Sequence, residues 1–593
     1  MKTKIYILTL YLIIQSVGLV YGAYLTNVPQ TLTQPNGQVI NCFMTGDEYY
    51  SWLHDTNNYT IVQNTTTGYY CYAILTNNEL VATQYIVGVD NPANSGFTPG
   101  VNITQEQITS INQQSPLRVR NAIYSNQILS YPFPKAGTLN NIVIFICFSD
   151  QSEYYSNQSQ YSSYYNNSVI GTSSMYNYYR EVSYNNFNII STFYPLNYGS
   201  TLKWYKDAHT RNYYLPKTSV VNINNSYRLN TDSGYTNSPL IQEGIIRQEN
   251  LVYNAINYLK SQISSTLNID INNDGYVDNV DILIQGESDL SYILKTKHNS
   301  LDKILYIYDK QVKSYNTLIE YGSFNLGIGG VCHEMYHTLG APDLYTEDNN
   351  QFISIGDWDI MSSPNINIPP SMGAYMKYKY GGWIDNIPEI NQSGHYFLQP
   401  ITSTTNNCYK IASSNPNEFF ILEFRKKVGT FESILPGTGL LIYRVCLNVV
   451  NPIGYASSYY LYRLDGTNAI GGDVKNAYFD TSVGRSAFSN ITIPNCFLVD
   501  GSLANISVKN IAVTGSTISF DVRLCQNSNI TLSNTNQLPE VSNAVNTIQT
   551  SGSVIVKSTD NVTFEAGSEI IINAGFEVQN GGQLQLNIQE CGK

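Results

Sequence analysis

NIVIFICFSD, residues 141–150, is an uninterrupted apolar run closed by a Ser-Asp turn signal. A strand that is apolar on both faces must be covered on both, so the run predicts a buried central strand. Downstream, IIRQENLVYNAINYLKSQI (245–263) carries apolar residues at helical spacing, and VDILIQG (280–286) repeats the strand pattern after the turn-rich DINNDGYVD. Apolar strand, amphipathic helix and apolar strand in that order predict an α/β region. Upstream, residues 23–138 are polar, with short strand-like runs such as QVINCFM and YYCYAIL. Beyond Trp383 the helical signal fades. FFILEF, GLLIYRV and STISFDVRL, bounded by Gly, Pro and Asn, predict a mostly β unit. After Cys525, VTFEAGSEIIINAGFEVQNGGQLQLNI alternates apolar and polar residues around Gly567, Gly575 and Gly581–Gly582, which predicts a small stack of parallel β coils.

The first 22 residues combine Lys2 and Lys4 with a short apolar run and then small Gly22 and Ala23, the pattern of a secretory signal peptide cut after Gly22. A chain of 593 residues exceeds a single core and divides into several units. The net charge of −12 comes without any dense Lys/Arg block, which argues against nucleic acid or anionic membrane as a partner. Nine cysteines are few for this length, so disulfides would staple local features only; Cys525–Cys591, Cys42–Cys71 and Cys408–Cys446 are the candidate pairs. Cys147 and Cys332 read as buried thiols.

In HEMYH the histidines His333 and His337 stand four residues apart, so on a helix both imidazoles project from one face toward one zinc ion. Glu334, beside the first histidine, would accept a proton from the zinc-activated water and pass it to the leaving amine. The pentapeptide alone is a weak signal, and its extension carries more. Gly340 falls where a helix terminus needs positive φ, Pro342 stops the helix resuming, and Asp343 sits where the returning chain offers a third ligand. The thermolysin arrangement, with a Glu from a second helix, has no donor because no Glu occurs between Glu347 and Glu389. Asp357, Asp359 and His395 remain as alternatives to Asp343. Met361, in WDIMSS, could floor the site or be ordinary core.

HEMYHTLGAPDLY, WDIMSS and PPSMGAYMKYKYGGW together resemble secreted bacterial metallopeptidases of the immune inhibitor A type, and the likeness runs loosely from Gln38 to Leu524. The resemblance implies zinc on His333, His337 and Asp343, Glu334 as general base, and Met361 beneath the metal. It also implies an α/β metzincin-like zinc peptidase catalytic domain (139–390), preceded by a pro-segment (23–138) and followed by β-rich domains (391–525 and a small C-terminal module, 526–593). One departure is Ser363, where metzincins that use a tyrosine after the turn methionine would place it. The terminal module resembles short β modules of secreted and surface proteins, which suggests cell-surface or glycan contact.

A second metal is suggested by DINNDGYVDNVD. Asp270, Asn272, Asp274, the Tyr276 carbonyl, Asp278 and Asp281 take positions 1, 3, 5, 7, 9 and 12 of an EF-hand-like loop with Gly275 at the turn. The strand pattern that follows, where an EF-hand needs a helix, points to structural calcium and not a switch. The leading expectation is an exported zymogen of a zinc endopeptidase acting on extracellular proteins or peptides. Its rival is a secreted adhesin or glycan-binding protein that retains an inactive peptidase fold, suggested by the 50 tyrosines and the terminal module.

Overall fold

The structure is a computed structural model that describes residues 25–46, 51–64, 67–77, 79–104, 107, 135–155, 158–196, 202–215, 239–287, 294–321, 327–344, 355–362, 367–447, 458–524 and 529–588. The signal-peptide reading (1–22), Ser363 and the Cys525–Cys591 pair lie outside these residues. The expected fold class is corrected. The chain is β-rich, 40% strand against 16% helix with five helices among the described residues, and not an α/β metzincin-like catalytic domain. The physical reason is the scarcity of segments with a 3.6-residue period. Most of the chain is short apolar runs broken by Gly and by Asn, a residue that tolerates the left-handed turns seen at Asn58, Asn273, Asn406 and Asn510.

Six strands come first: β1 (Leu25–Thr33), β2 (Val39–Gly46), β3 (Ser51–His54), β4 (Thr60–Gln63), β5 (Tyr70–Thr76) and β6 (Glu79–Ile86). They pair antiparallel in chain order around a small core that includes Ile40, Cys42, Met44 and Ile61. Cys42 on β2 and Cys71 on β5 are separated by β3 and β4, and both are free thiols.

A mixed sheet follows, built from β7 (Gly137–Cys147), β8 (Phe187–Tyr194), β9 (Tyr205–Lys206), β10 (Val280–Glu287), β11 (Lys297–Ser300) and β12 (Ser314–Tyr321). Its order is β9-β7-β10-β12-β11, with β8 also on β7; every pair is parallel except the edge strand β11 on β12. The alternation of side chains explains why the apolar run is continuous. Val143, Phe145 and Cys147 face one core, whereas Ile142, Ile144 and Ile146 face the other. Against the second face lies α3 (Pro239–Leu259), whose Leu251, Val252, Ala255, Ile256 and Leu259 form a helical stripe. The first face carries α1 (Gln158–Asn166), α2 (Met175–Val182) and α4 (Ile328–Thr338), with α4 packed on β12 and β11.

The same first core runs on past residue 390 into a four-stranded antiparallel sheet of β13 (Cys408–Ala412), β14 (Glu418–Arg425), β15 (Gly439–Cys446) and β16 (Tyr459–Leu461). Leu441, Tyr443, Val445 and Leu461 share it with Val331, Met335 and Met361. The opposite face of that sheet packs on strands Gly394–Leu398, Ile506–Thr514 and Thr517–Leu524. Cys408 stands opposite Glu423 and Cys446 opposite Glu418, at two ends of the intervening β14, so the predicted bridge is not formed. In the terminal module the strands stack in parallel, with Ile530, Ile548 and Ile570 in one column and Val562 on Leu584 in another.

Candidate metal centre

α4 follows its N-cap Gly327 and ends where the sequence says it should: Gly340 takes φ +92° and its N–H returns to the His337 carbonyl at 2.8 Å. The turn throws Asp343 back over the helix. His333 Nε2, His337 Nε2 and Asp343 Oδ1 then form a triangle with all three edges 3.2 Å. Among the described residues this is the one group of three or more His, Cys, Asp or Glu arranged to hold a metal.

The other nitrogens give the triangle the electronic character of a ligand set. His333 Nδ1 lies 2.9 Å from the Ile360 carbonyl and His337 Nδ1 2.8 Å from the Ala341 carbonyl. A carbonyl only accepts, so each Nδ1 carries the proton and each Nε2 presents a lone pair. Two lone pairs and a carboxylate oxygen 3.2 Å apart repel unless a cation lies between them. Ligands about 2.0 Å from a tetrahedral ion sit about 3.3 Å from one another, so the spacing fits zinc. Asp343 Oδ1 makes no hydrogen bond of good geometry, as a metal-directed oxygen would not. Side-chain exposure rises from 1% at His333 to 16% at His337 and 23% at Asp343, so one side of the triangle is open. Structural zinc sites are closed, whereas catalytic ones keep such an opening.

Glu334 is 1% exposed and neither carboxylate oxygen has a hydrogen bond of good geometry, the His298 backbone N–H making only a weak approach. Burial, reinforced by Asp343 and Asp281 and opposed by His337, pushes its carboxyl up to about 8. A cation at the triangle would pull it back down. Met361 is fully buried in the core below α4. Its carbonyl accepts from Leu344 N at 2.8 Å, next to Asp343.

The alternatives to Asp343 are occupied elsewhere. Asp359 accepts the backbone N–H groups of Met361 and Gly373, and His395 pairs with Asp521 on a surface strand. Asp357 is not in the group. His298 was missed by the sequence reading. It stands on edge strand β11, its ring 6.3 Å from that of His337, with Nδ1 donating to Asn316 Oδ1 at 2.7 Å. Burial, with His337 adding, lowers it to about 4, so it is a neutral ring beside the site. KTKHNS carries no local signal for this, because only the β11–β12 pairing brings it there.

Asp281, position 12 of the loop reading, is engaged in a buried amide network. It lies in β10, 1% exposed, and accepts amide N–H groups from Asn141, Asn279 and Asn316 at 2.9, 2.8 and 3.0 Å. Thr338, the last residue of α4, donates to Asn279 Oδ1 at 2.9 Å, so this network ties the helix that carries His333 and His337 to the sheet. The alternation of a strand turns Asp281 away from the loop that precedes it. In that loop Asp270 accepts from Asp274 N and Gly275 N and meets Lys310 Nζ at 3.1 Å. Asp274 accepts from Tyr276 N and Asn272 Nδ2, and Asp278 from Ile271 N. Burial first, then Asp270 and Asp274, push Asp278 up to about 7.

No protein-family model matches the chain, and none of the curated proteins matches it.

Proposed function

We propose that the chain is a secreted zinc-dependent endopeptidase, made as a zymogen and acting on extracellular proteins or peptides. The observation that carries this reading is the triangle of His333, His337 and Asp343, open on one side, with the buried carboxylate of Glu334 next to the first ligand. The motif HEMYH and the resemblance to secreted metallopeptidases of the immune inhibitor A type support it, and the signal-peptide pattern supports export. When bound, zinc would lower the pKa of a water and polarise the scissile carbonyl. Glu334 would accept the proton of that water and give it to the leaving amine. The Ile360 and Ala341 carbonyls keep both imidazoles in the ligating tautomer. Cell-surface or glycan contact is proposed for the terminal module on its likeness to short β modules of secreted and surface proteins.

Zinc content and casein cleavage of wild type and Glu334→Ala, measured before and after removal of residues 23–138, test the reading. Wild type should hold one zinc and cleave, and the variant should keep zinc but lose about 10²- to 10⁴-fold in rate. A wild type that holds no zinc, or cleaves nothing once residues 23–138 are removed, leaves the inactive-fold reading in its place. Full activity with those residues attached would remove latency alone.

A further inference from the structure

The turn that holds two of the three ligands is itself held from another sheet. Ile360 O receives the His333 Nδ1–H, and Met361 O receives the N–H of Leu344, the residue after Asp343. Two residues before Ile360, the Trp358 carbonyl accepts from Arg425 Nη1 at 2.8 Å. Arg425 Nη2 reaches the Ser371 carbonyl at 3.1 Å on the segment that returns from the turn. Its Nε and Nη2 also fork onto Glu432 at 2.8 and 2.6 Å. Arg425 and Glu432 are each 1% exposed, and Arg425 ends β14, a strand paired on both sides. The neighbouring contacts run the same way: Glu423 on β14 accepts from Ala374 N at 2.6 Å, and the Tyr443 hydroxyl on β15 accepts from Tyr375 N at 3.0 Å.

We propose that Arg425 is a positioning residue for the metal centre, transmitting the rigidity of the β13–β16 sheet through the 358–362 turn to His333 and Asp343; the inference rests on the zinc reading. An ion pair that served stability alone could be replaced by apolar side chains of the same volume with little loss. Arg425 does something such a replacement cannot: its planar fork joins the Trp358 carbonyl of the turn and the Ser371 carbonyl beyond it to a fixed carboxylate. Residues that orient ligands from outside the coordination sphere change metal affinity even when the ligands are intact.

Arg425→Lys keeps a charge facing Glu432 but has no fork to span Trp358 O and Ser371 O. Zinc affinity of the full chain, read by competition with a chelating dye, should fall about 10-fold or more. The control is Arg444→Lys. Arg444 is equally buried, 3.6 Å from Glu418 on the same sheet, but it faces the opposite core and does not touch the turn. That variant should lose melting temperature and keep the wild-type zinc affinity. If Arg425→Lys does not fold, Tyr443→Phe removes only the hydroxyl above Tyr375 N and should weaken zinc in the same direction. Unchanged zinc affinity in Arg425→Lys, or in Tyr443→Phe where that stands in, overturns the inference. So does an equal loss in the Arg444→Lys control. A wild type that takes up no zinc is a separate result, visible before any variant is made, and it ends the zinc reading and this inference together.

Discussion

His333 and His337 bring their Nε2 atoms to 3.2 Å while each donates its Nδ1–H to a backbone carbonyl, so two lone pairs face each other with Asp343 Oδ1 completing the triangle. That arrangement is costly without a cation and favourable with one, and it governs how the protein should respond to metal.

Removing metal should therefore destabilise the fold and not only stop activity. A ligand that binds the native state alone stabilises it by about 2.7 kcal/mol at a hundred times its dissociation constant. Melting temperature should fall on treatment with a chelator and climb again with the logarithm of free zinc. A melting curve that ignores both would contradict the ligand set.

Asp281→Asn separates the buried network from the calcium loop. Asn turns one acceptor oxygen into an NH₂ facing amide donors, which leaves buried donors unpaired at a cost of about 2–3 kcal/mol. The loss should be the same in calcium and in chelator. If the loop binds calcium through Asp270, Asp274 and Asp278, wild type should melt higher in calcium and Asp274→Ala should not. A calcium response that disappears in Asp281→Asn would restore Asp281 to the loop.

Lys377 gives a pH signature. It is 1% exposed, with its Nζ 4.6 Å from the centre of the Tyr184 ring, and Glu432, Glu423, Glu181 and Arg425 face it. Burial, only partly offset by the glutamates, lowers it from 10.5 to about 8. Below pH 8 both folded and unfolded chains hold the proton, and the cost of the buried ammonium, roughly 3 kcal/mol at most, is fully present. Between pH 8 and 10.5 the folded chain sheds the proton first, so this contribution to stability rises with pH. The gap in melting temperature between Lys377→Met and wild type should be most favourable to the variant at pH 7 and shrink above pH 8. A gap that is constant from pH 7 to 10 would show that Lys377 is not desolvated.

The thiols should be inert in the native state. Burial raises Cys42 and Cys147 to about 11 and Cys408 to about 12, which leaves on the order of one thiolate in a thousand or fewer at pH 8. A thiol-specific chromogenic reagent should label these three only after denaturation. Rapid labelling of Cys42 in the native chain would show that its thiol is not shielded by burial.

Much of the site was legible because it is local. The four-residue spacing of His333 and His337, the positive φ at Gly340 and the return of Asp343 all follow from helix geometry within eleven residues, 333–343. The apolar strands 141–147 and 280–286 were legible for the same reason, since burial on both faces leaves no alternation to hide them. The overall fold class was not legible. The strand runs before residue 139 and after Trp383 read as β, but one helix and two strands between them set the expected class, although they are a small part of a chain in which short runs and Asn turns make strands.

What the sequence by itself determined is therefore the local grouping of His333, His337 and Asp343 with Glu334 beside it, and the strand–helix framework that carries them. The tertiary structure alone decided which group holds His333 in its tautomer, a carbonyl 27 residues away, and that His298 stands beside His337. It also decided that Asp281 serves a buried amide network and that Arg425 braces the turn. Periodicity and backbone preference act between neighbours along the chain; these other contacts arise only when strand pairing and core packing bring distant segments together, and no local pattern records that register.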